Sequence, residues 1–249
     1  VRTEAGRAFR KAFVPAEGFS LLVADYNQIE LRCIAHLAED PGLIRAFEAG
    51  EDVHTSVAAQ VWNLDLSEVD YETRSRAKMV SYGLAYGMEA YGLAQRLDIP
   101  REEASDILTA FFDAFPAVRE YMDRSIEEAR KKGYTETLFG RRRRIPELSS
   151  SNFNVRQAGE RQAMNSAIQG LAADIFKVAL IEIDEHIENQ SLESRLILQV
   201  HDEVILEVPS EEEDHVLEKV PEIMKNAYDL RVDLEVNMSF GSTWADAKG

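Results

Sequence analysis

LILQV-HDE-VILEV, residues 196–208, decides how the rest of the chain is read. Two short apolar runs, residues 196–200 and 204–208, flank His201, Asp202 and Glu203. Runs of this length, rich in Val, Ile and Leu and joined by a short polar connection, predict a β-hairpin. An Asp-Glu pair at the tip of a rigid hairpin suits a hard divalent cation, which takes oxygen ligands. One carboxylate does not hold Mg²⁺ usefully alone, so a partner has to come from elsewhere in the chain.

The strand before the partner is FSLLVA, residues 19–24, a short apolar run introduced by Gly18 and ending at Asp25. From Asn27, a plausible N-cap, the pattern turns helical, with Ile29, Cys33 and Leu37 on one face. Asp25 is therefore expected at a strand-to-helix junction. Pro41-Gly42 breaks the chain, and from there to about residue 150 the reading is almost all helix. Helices are expected over residues 43–49, 51–61 and 71–86. Pro100 opens another through residue 114, and Pro116 opens the next, closed by Gly133. Residues 135–139 and 144–146 look like short extended pieces around an arginine run. A long helix follows over residues 155–187, with Ala163, Ala167, Leu171, Ile175 and Ala179 on its apolar face. After the hairpin come an amphipathic helix over residues 211–228 (Val216, Val220 and Met224 inward) and an edge-like strand over residues 231–238, in which Val232, Leu234 and Val236 alternate. Strand-bearing parts at both ends are expected to form one sheet, with the helical block inserted between them: an α+β chain.

The 249 residues are enough to bury roughly three-quarters of the unfolded chain's surface, as one large domain or two subdomains. No apolar run approaches the ~20 residues of a membrane span, and no signal peptide is visible. The single cysteine, Cys33, rules out an internal disulfide framework and fits a reducing compartment. The chain begins at Val1, which reads as a fragment of something longer. The net charge of −17 argues by itself against a nucleic-acid binder. Its distribution softens that: residues 182–249 hold 18 acidic and 5 basic residues, whereas residues 124–144 hold 8 basic and 3 acidic. A solvated acidic face is the plain reading of the C-terminal excess.

Asp25 and Asp202 both leave the ends of short apolar strands, which a sheet can bring side by side. Paired carboxylates repel unless cations sit between them. Such pairs suit two Mg²⁺ ions about 4 Å apart that clamp the attacking and leaving oxygens of a phosphoryl displacement. On its own an aspartate at a strand end is a weak signal, since most are surface turns. In RSRAKMVSYGLAY, residues 74–86, Arg74, Lys78 and Tyr82 fall at i, i+4 and i+8, with Tyr86 loosely continuing the stripe. Two cations a turn apart can grip a triphosphate, Lys as a point charge and Arg as a fork. An aromatic one turn on can stack on a sugar or base. A solvated face with a core tyrosine is the alternative.

DYNQIELR (residues 25–32), R-x3-K-x3-Y-G-x2-Y-G (residues 74–87) and VHDE (residues 200–203) resemble the three signature motifs of the bacterial DNA polymerase I family (family A), in that family's order. EDVHT (residues 51–55), TLFGRRRR (residues 137–144) and the helix around Asn165 and Gln169 extend the resemblance over essentially the whole chain. It implies an antiparallel palm sheet backed by helices, with a largely helical fingers subdomain inserted: palm 1–28, fingers 29–154, palm 155–249. It implies a DNA-directed DNA polymerase core, used in replication and repair, that adds deoxynucleotides to a primer 3′-end and releases pyrophosphate.

By the same resemblance, Asp25, Asp202 and the backbone carbonyl of Tyr26 are ligands of two Mg²⁺ ions, with Mn²⁺ as a substitute. Glu203 is an auxiliary acid. Arg74 and Lys78 bind the triphosphate, with His54 as a further phosphate contact, and Lys78 is the candidate proton donor to pyrophosphate. Glu30, supported by Tyr86, blocks a ribose 2′-hydroxyl, and Gln28 also belongs to the nucleotide site. Arg161, Asn165 and Gln169, at i, i+4 and i+8, contact the primer-template, as does His201. Gln169 can address minor-groove acceptors shared by all correct pairs. Arg141 and the arginines after it would meet backbone phosphates, with a solvated loop as the alternative. The implied partners are primer-template DNA and dNTPs, with no membrane; the implied setting is cytoplasmic and nucleoid-associated, as a monomer.

The sequence departs from the family pattern twice. Asn27 stands where serine is usual. Tyr82 stands where many members have phenylalanine, and in the family tyrosine there goes with acceptance of dideoxynucleotides. The family's thumb and its exonuclease or degraded exonuclease domain lie upstream of this region. A truncated, non-catalytic fragment that binds metal or nucleotide weakly is thus the competing reading. A two-metal nuclease or phosphatase on another fold is a third. The cationic stripe and Glu30 argue against it, since a hydrolase needs neither.

Overall fold

The structure, a computed structural model, describes residues 8–50, 52–85 and 87–248. The chain is α+β and divides into two units. One comprises Val1–Ile29, Ala173–Asp229 and Leu234–Gly249; the other comprises Glu30–Ala172 and Leu230–Asp233.

The first unit is built on a four-stranded antiparallel sheet. Its strands are β1 (Phe19–Tyr26), β4 (Arg195–Val200), β5 (Glu203–Pro209) and β6 (Val236–Gly241), in the order β4-β5-β1-β6. β1 is central because FSLLVADY has apolar residues on both faces, and Leu21, Leu22, Val23 and Ala24 are all buried. Leu21 and Val23 pack with Ile205, Trp244 and Ala247. On the opposite face, the Tyr26 hydroxyl donates to the Met224 carbonyl at 2.6 Å and its ring meets Phe176 edge-on. Met224 belongs to α9 (Glu213–Asn226), and Trp244 and Ala247 to the short terminal α10 (Trp244–Lys248). α8 (Phe153–Gln190) is long, and its expected apolar face is confirmed: Ala163, Leu171, Ile175 and Ala179 are fully buried, while Ala167 is partly so.

The second unit is helical: α1 (Ile29–Ala38), α2 (Pro41–Glu48), α3 (Val53–Trp62), α4 (Tyr71–Ala85), α5 (Ala90–Leu97), α6 (Arg101–Ala114) and α7 (Pro116–Lys132), plus residues 153–172 of α8. Caps set its boundaries. Asp40 is buried yet fully employed, accepting from the N–H groups of Gly42, Leu43 and Ala117. Pro41 therefore starts α2 rather than merely interrupting the chain. Pro116 opens α7 at its first position, and Gly133 ends it at φ 78°. α4 closes with the Gly87 N–H on the Leu84 carbonyl and the Met88 N–H on the Gly83 carbonyl, with Gly87 at φ 64°. This is the paired-bond C-terminus that favours glycine.

Three expectations are corrected. The arginine run is itself a strand: β3 (Arg142–Arg144) pairs with β2 (Tyr134–Glu136), where the extended pieces were expected on either side of it. The last strand begins at Val236, not at residue 231. Val232 and Leu234 are buried without pairing into the sheet, because the backbone there serves side chains of α1. The Arg231 N–H donates to His36 Nδ1 at 3.1 Å, and Arg32 donates to the Asp233 carbonyl. Asn27 is not the residue before α1: Gln28 is, at φ 56°, and the Asn27 amide donates to Glu235 at 3.2 Å.

Candidate active site

The hairpin has a two-residue turn. Val200 pairs with Glu203, which leaves His201 and Asp202 as the connection. His201 is exposed at φ 58°, a left-handed conformation tolerated by few side chains. Glu203 is not at the tip: it is the first residue of β5 and is buried.

Strand register brings the carboxylates together. Asp25 lies directly opposite Glu203, so both side chains project from the same face of the sheet. Leu21, Val23 and Asp25 alternate onto that face, which α10 covers. The Tyr26 N–H donates to the Asp202 carbonyl at 3.3 Å, tying the turn to the end of β1. The Tyr26 ring is turned to the other face, so only its backbone lies beside Asp25. Burial raises the Asp202 pKa above the ordinary carboxylate value, and the charge of Asp25 raises it further. Asp25 and Asp202 thus feel one another. Glu203 accepts at one oxygen from Trp244 Nε1 at 2.6 Å and at the other from Lys248 Nζ, which also reaches Asp25 Oδ2 at 3.2 Å.

The donor set fits a divalent metal in a limited sense. Among the described residues no group of three or more His, Cys, Asp or Glu is spaced to hold one. Two carboxylates with phosphates and water completing the shell is the usual Mg²⁺ arrangement at phosphoryl-transfer sites. A cation already rests between Asp25 and Glu203, in the form of the Lys248 ammonium.

In the helical unit, α4 presents Arg74, Lys78 and Tyr82 as its sequence spacing predicts. Arg74 grips Asp52 with two bonds, Nε at 2.9 Å and Nη2 at 2.7 Å. Asp52 also caps α3 through the Thr55 N–H at 2.9 Å. Burial works to raise its pKa, but the bonds from Arg74 and Thr55 prevail and hold it down at about 2. His54, in the first turn of α3, is buried, and neither ring nitrogen has a partner among the described residues. Burial drives its pKa down to about 4; Asp52 opposes this, and Lys78 and Arg74 reinforce it. Its ring lies 5.8 Å from that of Tyr82, over which Lys78 Nζ sits at 5.9 Å. Glu30 is half-buried in the first turn of α1. Tyr86 and Glu51 lie outside the described residues.

The expected DNA-contacting residues of α8 are placed in the same unit. Arg161 donates to Glu89 at 3.1 Å. Asn165 packs against Gly87, where a Cβ would come within 2.8 Å of its Nδ2, and its buried Oδ1 has no partner among the described residues. Gln169 is half-buried. Arg141 donates to the Gly170 carbonyl at 2.7 Å, and Arg142 pairs with Glu136.

Three residues at these sites escaped sequence reasoning. Asp52 was visible as an N-cap before an apolar stretch. Trp244 and Lys248 lie four apart in the final short helix, where a helical face was legible but no chemistry suggested it.

DNA polymerase family A matches residues 1–246. The chain is 48% identical over 249 residues to DNA polymerase I of Geobacillus stearothermophilus, covering 100% of this chain and 28% of that protein. It is 50% identical over 245 residues to DNA polymerase I of Mycobacterium tuberculosis, covering 98% of this chain and 27% of that protein. Among solved structures it is similar to the "POL domain of Pol1 from M. smegmatis complex with DNA primer-template and dNTP", with 51% identity and a TM-score of 0.94 over 100% of this chain and 44% of that one. The chain thus spans less than a third of the length of these curated relatives. It belongs to DNA polymerase family A.

Proposed function

We propose that this chain carries the nucleotidyl-transfer centre of a DNA polymerase, with Asp25 and Asp202 holding two divalent cations. The observation that carries it is the strand register that sets Asp25 against the hairpin, close enough for its charge to raise the Asp202 pKa. The bound metals would activate the primer 3′-hydroxyl and neutralise the developing charge on the phosphates. The chain's own residues position and screen. The rigid ends of β1 and β5 fix the carboxylates. Arg74 and Lys78 offer a fork and a point charge to the triphosphate, Lys78 being the proton donor to the leaving pyrophosphate. His54, neutral at pH 7, can donate one N–H to a phosphate oxygen. Glu30 excludes a ribose hydroxyl. Arg161, Asn165, Gln169 and His201 meet the primer-template. In this reading residues 1–28 and 155–249 are palm and residues 29–154 are fingers.

Support comes from the family and from the solved relative, whose printed title names primer-template and dNTP. The test is extension of a labelled primer by the chain with Mg²⁺ and four dNTPs, beside Asp25→Ala and Asp202→Ala. Extension lost in both variants upholds the assignment. Activity that survives both overturns it. No extension by the wild type, with metal binding retained, favours the non-catalytic fragment.

A further inference from the structure

The last helix delivers a positive charge onto the carboxylates, and its placement is tightly built. α10 lies against the end of β6 so closely that a Cβ on Gly241 would collide with the Ala247 backbone nitrogen. Asp246 accepts from the hydroxyls of Ser242 and Thr243, both at 2.9 Å, and its N–H donates back to Thr243 Oγ1 at 3.1 Å. Trp244 fills the sheet face beside Leu21, Val23 and Ile205. In that register, Lys248 Nζ arrives between Asp25 and Glu203.

The two contacts are unequal. Glu203 has a side chain only 4% exposed and is already anchored by Trp244. Asp25 has a side chain 29% exposed, and Lys248 reaches it at 3.2 Å. Burial works against the charge on Lys248, yet the two carboxylates outweigh it. Lysine suits such a post because its ammonium is a point charge on a flexible stem.

We propose that Lys248 is an internal counter-cation of the carboxylate site: it bridges Asp25 and Glu203 until a divalent cation takes Asp25, and then remains on Glu203. This rests on the reading of Asp25 and Asp202 as metal ligands. A divalent ion shared by both aspartates displaces a single positive charge from the weaker of its two contacts. The resident ammonium keeps the paired carboxylates from repelling one another in the meantime. It also keeps the intrinsic metal affinity low, so that a metal arriving with a nucleotide's own phosphates is favoured over a bare ion. Lys248 is a positioning residue in this scheme; it acts through Asp25 and Glu203.

The test is a Mn²⁺ titration of the whole chain, without DNA or nucleotide, following loss of the free-ion electron paramagnetic resonance signal. Lys248→Met and Lys248→Gln are expected to bind Mn²⁺ about ten-fold tighter than wild type, since a positive charge beside a ligand is removed. Glu203→Gln is expected to bind several-fold more weakly, because the lysine freed from Glu203 settles on Asp25 and a negative charge is lost. A purely structural role for Lys248 would not move the two kinds of variant in opposite directions. Unchanged, weaker or undetectable binding in both Lys248 variants overturns the proposal. Urea unfolding of each variant verifies the fold, and if Lys248→Met does not fold, Lys248→Gln and Glu203→Gln decide. Asp202→Asn separates the two readings. If it binds as wild type does, the metal assignment has failed; if it loses binding while the Lys248 variants match wild type, only the counter-cation has failed.

Discussion

Replacing His54 with phenylalanine is expected to stabilise the fold and to weaken nucleotide binding. His54 is 2% exposed, and neither ring nitrogen has a partner among the described residues. A buried polar atom left unpaired costs about 1–3 kcal/mol, and phenylalanine fills similar space with no such atom. Its ring also keeps the contact with Tyr82, now 5.8 Å between centroids. At pH 7.5 the variant should therefore be about 1–2 kcal/mol more stable. Acid should widen the gap. The folded pKa of His54 is about 4, against an ordinary value of 6.5. Above 6.5 neither state holds the proton, and stability does not depend on it. Between 6.5 and 4 the unfolded chain binds a proton that the folded one refuses, so the wild type loses about 1.4 kcal/mol per pH unit, roughly 3 kcal/mol in all. Phenylalanine cannot lose it. Urea unfolding at pH 7.5, 6.0 and 5.0 measures the difference, which should grow from about 1–2 to about 3–4 kcal/mol by pH 5. A difference that stays flat, or a variant less stable at pH 7.5, refutes the reasoning. Stabilisation with unchanged dNTP affinity would leave the orphaned nitrogens unconnected to phosphate.

Asp52 joins two functions that its variants can separate. Asp52→Asn keeps the cap on α3 but gives up the charge that pairs with Arg74; with its side chain 36% exposed, solvent reduces the loss to about 1 kcal/mol at pH 7. Asp52→Ala should cost about 1 kcal/mol more by removing the cap as well, and equal urea midpoints for the two would contradict this. Because the folded pKa of Asp52 lies at about 2, below its ordinary 3.8, its contribution is present above pH 4 and fades as the pH falls through 2. Gly87→Ala puts a methyl group 2.8 Å from Asn165 Nδ2 at a φ of 64°, so a loss of about 1–2 kcal/mol is expected in chemical unfolding. A neutral result would mean that the α4 terminus relaxes freely. Tyr82→Phe should raise discrimination against dideoxynucleotides in single-turnover incorporation, and an unchanged ratio would sink that idea.

Where local chemistry and burial agree, the sequence was a good guide. β1 and the hairpin were legible because short apolar runs bounded by polar residues have few other solutions, and the α7 boundaries followed from Pro116 and Gly133; the caps that Asp40 and Asp52 put on α2 and α3 were not read. Failures arose where burial came without pairing. Val232 and Leu234 alternate as a strand would, yet they are buried beneath backbone that binds Arg32 and His36. α5 escaped notice because neither end is marked: Glu89 makes no side-chain cap, and the left-handed position that usually calls for glycine is Asp98 at φ 55°. Asp25 and Asp202 could be named, but the lysine between Asp25 and Glu203 could not. Its position depends on how α10 docks, a tertiary fact that five residues do not encode alone.

The net charge of −17 looks different once the cations are located. In the helical unit three of the arginines expected to meet nucleotide or DNA already hold carboxylates: Arg74 has Asp52, Arg161 has Glu89 and Arg142 has Glu136, while Arg141 holds the Gly170 carbonyl. Exposed pairs of this kind are worth about 0–1 kcal/mol each, so exchanging a carboxylate for a phosphate costs little. The acidic partners have a use in the free protein, because they hold flexible arginines in defined places and leave less order to be imposed on binding. The carboxylate site follows the same logic with the signs reversed, its anions resting on Lys248. An acidic chain can therefore still present an anion-binding unit. What matters is which cations are held by partners weak enough to release them, and the sum over the sequence does not report that.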